Sequence, residues 1–98
     1  MERFVMEVVT MSGRAAAIEF RISDDMVEVW HRDQCGGVFG RELLRDWLAA
    51  PKEPLAVGDV EFSLDRMVDR AGRVAVTLPD VLAWTLAPES LAGLCQRL

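Results

Sequence analysis

Apolar positions recur every second residue in the first third of the chain, and later every third or fourth. AAAIEFRIS, residues 15–23, alternates strictly. Ala16, Ile18, Phe20 and Ile22 face one way, while Ala17, Glu19, Arg21 and Ser23 face water, the pattern of a half-buried strand. RFVMEVVT before it is apolar and β-branched, and MSGR between the two reads as a turn. SDD is a second turn, its short polar side chains suited to bonding nearby backbone. MVEVWHR then predicts a third strand. DQCGG follows, where Gly36 and Gly37 suit a tight reversal. VF after it predicts a short returning strand.

FGRELLRDWLAAP changes the period. Leu43, Leu44, Trp47 and Leu48 fall on one side of a helix, with Arg41, Glu42, Arg45 and Asp46 on the other. Gly40 precedes it, and Pro51 and Pro54 end it. VGDVEFSLD and RVAVTL predict a second hairpin joined at DRAG, with Val60, Phe62 and Leu64 facing inward opposite Val74, Val76 and Leu78. The tail PDVLAWTLAPESLAGLCQRL predicts two helices, with Pro79 and Pro88 in first turns and Asp80 and Glu89 near positive helix ends. The expected fold is α+β: an antiparallel sheet of two hairpin groups, β-β-β-(β)-α-β-β-α-α, curved around one helix with a C-terminal helical segment.

Composition narrows the function classes. The chain has 98 residues, 51% of them hydrophobic and 28% charged, which fits one globular domain spanning 1–98. The net charge of −5 opposes non-specific attraction to phosphate backbones or anionic lipid. Arginines are spread from Arg3 to Arg97 without a basic block, so nucleic acid is not the expected partner. No segment approaches the ~20 apolar residues of a membrane span. The beginning MERFVMEVVTMSG lacks the layout of a secretory signal, and two cysteines make no disulfide framework, so the expected location is cytoplasmic.

Candidate chemistry is sparse. His31, Asp33 and Cys35 in HRDQC are the tightest polar cluster, and a Cys–His pair is one route to an activated thiolate. A structural zinc site needs four ligands, and the chain holds one histidine and two cysteines in all. Asp24 and Asp25 read as solvated turn residues and Cys95 as a small apolar filler. The glycines match neither phosphate-loop nor dinucleotide spacing, and no serine lies in a nucleophile elbow. No catalytic residue, cofactor or metal is expected.

The tryptophans say more. Trp47 and Trp84 lie in helical patterns and read as core. Trp30 is out of phase with Val27 and Val29, on the side of Glu28 and Arg32, so it is either covered or exposed. Large aromatics concentrate at interface centres. The candidate interface residues are therefore Trp30, Glu28 and Arg32, with Arg41 and Arg45 on the outer helix face.

Residues 39–63, FGRELLRDWLAAPKEPLAVGDVEFS, resemble the central block of the SsgA-like proteins of actinobacteria. In that family a phenylalanine, an arginine and Glu-Leu-Leu open a helix, a proline follows, and Gly-Asp-Val opens the next strand. Phe39, Arg41, Glu42, Leu43, Leu44, Pro51, Gly58, Asp59 and Val60 stand at those positions, and LPDVLAWTLAPESLAGL is a looser echo of the family's C-terminal helical segment. The small, acidic, single-domain character is also similar to BldB-type developmental proteins. Both resemblances imply a non-enzymatic regulator of differentiation that works through self-association and protein partners. The SsgA-like resemblance implies sporulation-specific cell division and a trimer, the BldB-type one aerial growth and a dimer. The rival readings are a small nucleic-acid-binding regulator and, more remotely, a Cys/His enzyme using Cys35 and His31.

Overall fold

The computed structural model describes residues 1–10, 12–64, 74–78, 81–86 and 88–98, with backbone alone at 64, 81–85 and 88. The elements follow as β1 (Glu2–Thr10), β2 (Ala15–Ile22), β3 (Met26–His31), β4 (Gln34–Gly40), α1 (Arg41–Ala49), β5 (Leu55–Val57), β6 (Val60–Leu64), β7 (Val74–Leu78), β8 (Val81–Leu86) and α2 (Pro88–Arg97). The fold is α+β, as the hydrophobic pattern predicts. Strand order is β4-β3-β2-β1-β8-β7-β6-β5, antiparallel throughout. Two meanders, β1–β4 and β5–β8, are thus joined where β8 pairs with β1.

The sheet curls until its two ends meet. Gly36 and Gly37 of β4 lie against the Val57–Asp59 turn, and the Asp59 N–H donates to the Gly36 carbonyl at 2.9 Å. A Cβ on Gly37 would fall on the Val57 carbonyl oxygen, and one on Gly36 would come within 2.8 Å of Val60 Cγ2. Gly58, at φ 60°, supplies the left-handed residue of the facing turn. The Gly-Gly pair is therefore a close backbone approach inside β4 and not a reversal. The reversal itself falls at Arg32–Asp33, with His31 opposite Gln34 and Arg32 at φ 57°.

Every layer feeds one core. Met6, Ile18, Phe20, Val27, Val29, Phe39, Leu44, Val60, Phe62, Val76 and Leu94 are all fully buried. Phe62 is its hub. Its ring meets Phe39 edge-on at 5.3 Å between centroids, and Phe20 and Trp47 lie at 6.3 and 6.1 Å. Phe39 and Phe62 belong to strands far apart in the sheet order, so this contact exists only because the sheet is curled.

α1 starts without a side-chain cap, but its first N–H, that of Arg41, donates to the Asp25 carbonyl at 2.9 Å. Leu44 is buried, and Trp47 and Leu48 pack partly against the core. Leu43 departs from expectation at 54% exposure. A helix of nine residues presents a narrow stripe, and the i, i+3, i+4 set Leu44, Trp47 and Leu48 fills it.

The tail corrects the predicted element order. VLAWTL is β8, not a helix, so the chain ends β-β-β-β-α after α1. Its hydrogen-bond partners on β1 and β7 decide the conformation of a six-residue apolar run that local sequence leaves ambiguous. The DRAG turn, Pro79 and Asp80, and the side chains of Leu64 and Trp84 lie outside the described residues.

Gly37→Ala should destabilise the domain by about 3 kcal/mol, the upper end of overpacking costs. For a domain of this size that lowers Tm by more than about 10 °C in a thermal melt. An unchanged Tm would mean that β4 and the Val57–Asp59 turn are not in backbone contact.

Candidate functional site

The outer face of β1–β3 carries the residues that burial leaves free. Its cross-strand rows follow from the register. Val5 lies opposite Glu19 and Glu19 opposite Trp30; Arg3 lies opposite Arg21 and Arg21 opposite Glu28. Val5 and Val9 are 54% and 50% exposed. Beside them the outward alanines Ala15 and Ala17 line a shallow depression together with Val5, Glu19 and Trp30.

Four of these side chains form one network. The Arg21 guanidinium lies 3.9 Å above the Trp30 ring and pairs with Glu19 at 2.5 Å. The Trp30 indole N–H donates to Glu28 at 2.9 Å. Two i, i+2 pairs on adjacent strands, Glu19/Arg21 and Glu28/Trp30, thus lock each other, fixing the indole in one orientation while part of it stays open to solvent. Cation–π contact and charge-assisted bonding add to that order. The sequence places Trp30 and Glu28 on this face; Glu19 and Arg21 join them only through the register.

The other expected interface residues lie elsewhere. Arg32 is exposed in the two-residue turn beyond Trp30. Arg41 and Arg45 sit near the opposite end of β3, about 13 Å from Trp30 by strand rise. Arg41 donates to the Ser23 carbonyl at 2.9 Å and to the Arg97 carbonyl at 2.8 Å; Arg45 reaches the Leu98 carbonyl at 3.4 Å. These carbonyls at and just past the end of α2 are among those left without intrahelical partners, and two guanidinium groups there also suit the helix dipole. Arg41 is therefore a clamp joining the β2–β3 turn to α2. Its partners are backbone carbonyls, not a loop carboxylate.

α2 is held from its other side by Arg97. That guanidinium pairs with Glu2 at 2.5 Å and lies 4.5 Å over the Phe4 ring. Gly93 leaves the space that this ring occupies.

The HRDQC residues line one open cavity of about 800 Å³ together with Asp59, but among the described residues no hydrogen bond joins His31, Asp33 and Cys35. His31 ends β3, Asp33 is in the turn, and Cys35 is exposed on β4 with its thiol 3.6 Å from the Gly37 carbonyl. Partial burial on α2 pushes the Cys95 thiol above its ordinary value, away from thiolate reactivity. Among the described residues no group of three or more His, Cys, Asp or Glu side chains is placed to hold a metal ion. Among the same residues no helix is long and apolar enough to cross a membrane.

The class that fold and site define is a small α+β domain presenting an ordered aromatic-and-charged sheet face. No protein-family model, curated protein or solved structure matches the chain.

Arg41→Ala should lower stability by about 1.5–3 kcal/mol, since it removes two charge-assisted bonds to carbonyls that are partly shielded from water. Arg45→Ala should stay within about 0.5 kcal/mol. Urea unfolding of both variants checks this, and equal losses would remove the clamp.

Proposed function

We propose that the chain is a non-enzymatic protein-interaction module that self-associates in the cytoplasm, with the outer face of β1–β3 as its contact surface. The supporting observation is the ordering of Trp30 by Arg21 and Glu28 beside exposed Val5 and the alanine-lined depression. An aromatic side chain held in one rotamer loses little entropy on docking, and tryptophan and arginine dominate interface hot spots. The resemblance of residues 39–63 to SsgA-like proteins supports a role in sporulation, morphological differentiation and possible septation of an actinobacterium.

The chain should be a dimer or trimer at micromolar concentration by light scattering, against 10.9 kDa for one copy. Trp30→Ala should weaken that association by about 30-fold, the roughly 2 kcal/mol of a hot spot, while the circular-dichroism spectrum stays that of a folded domain. A wild-type monomer would remove the self-association reading. An oligomer unaffected by Trp30→Ala would move the contact surface off this face.

A further inference from the structure

The outer face of β1 reads Arg3, Val5, Glu7, Val9, a sequence of charges that is self-complementary about Val5. Arg3, Val5 and Glu7 are all exposed. Arg3 lies directly opposite Arg21, a like-charge pairing, and Arg21 is already committed to Glu19 and to the Trp30 ring. Glu7 lies opposite Ala17, which offers it no charge. Among the described residues neither Arg3 nor Glu7 forms a salt bridge. The positive end of the strand thus carries more cation than its neighbours balance, and the site two positions past Val5 carries the anion that would balance it.

A two-fold axis just above Val5, lying between the two sheets and at right angles to β1, places each of these opposite its complement. Two β1 strands then cross antiparallel, as in aligned sheet-on-sheet packing. Arg3 of each copy meets Glu7 of the other, and Val5 meets Val5. The alanine-lined depression alongside gives the second copy's strand room on a face that would otherwise be convex, with Trp30 as its far wall.

We infer that the occupant of this face is a second copy of the same chain, packed about a two-fold axis at Val5 with reciprocal Arg3–Glu7 ion pairs. The inference rests on the self-association proposed above and adds its register and symmetry. It requires a dimer, since a rotation that closes at two copies leaves the face filled.

Charge swapping tests it directly. Because the symmetry repeats each contact, Arg3→Glu alone sets two carboxylate pairs against each other, and Glu7→Arg alone sets two guanidinium pairs. Each single variant should weaken the dimer by about tenfold or more in sedimentation equilibrium. The double variant, Arg3→Glu with Glu7→Arg, restores opposite charges at both contacts and should return the dissociation constant to within about threefold of wild type. Both substitutions are at exposed positions, so thermal melts of all three variants should show folded protein. A dimer whose singles are unaffected, or whose double variant is not restored, would overturn the register while leaving self-association standing, and so would a wild-type trimer. A wild-type monomer would overturn both.

Discussion

The backbone contact between Gly36–Gly37 and the Val57–Asp59 turn is the constraint on which the rest of the structure depends. Any side chain at Gly37 would occupy the position of the Val57 carbonyl oxygen. With glycine there, the last strand of one meander reaches the first strand of the other, and the Asp59 N–H closes the gap. Closure has two consequences. It brings Phe39 onto Phe62, so that side chains from strands distant in the sheet order share one core. It also covers part of both sheet edges, which would otherwise expose unpaired backbone to other chains.

The helices are secured after that, by arginines. Arg41 ties α2 to the β2–β3 turn, and Arg97 ties the same helix to Glu2 and Phe4 on β1. Both helices are therefore occupied with the fold, and Arg41, which sequence alone suggests as a free outer-face residue, is not available to a partner in the way that Trp30 is. The surface left free by these ties is the outer face of β1–β3, where strand register assembles the Glu19, Arg21, Glu28 and Trp30 network. Core and outer face use opposite sides of the same strands, so the outer face can vary without disturbing the core.

Much of this fold is legible in the sequence, and the gaps have physical reasons. Strict alternation in AAAIEFRIS gave the buried set Ile18, Phe20 and Ile22, and the same logic placed Val60, Phe62, Val74, Val76 and Leu78 inward. Those positions depend on period alone. VLAWTL reads as helix in the sequence because a six-residue, mostly apolar run fits either conformation, and only pairing with β1 and β7 selects the strand. Gly-Gly reads as a turn because its actual purpose, room for a backbone twenty residues later, is a long-range fact. For the candidate face, the phase of Trp30 against Val27 and Val29 sets it on the opposite side of β3 from them, while leaving open whether that side is covered. Its partners Arg21 and Glu19 required the β2–β3 register, and Arg41's carbonyl partners lie 18 and 56 residues away along the chain.

Native-state hydrogen exchange at the Asp59 amide tests the closure most directly. That N–H bonds the Gly36 carbonyl across the seam and follows a glycine turn, so local opening alone would free it if the seam were weak. If closure holds the fold, Asp59 exchanges only with global unfolding, at the same free energy as the amides of Phe20 and Phe62. Exchange at the rate of an exposed loop amide, with Phe20 and Phe62 still protected, would contradict the account.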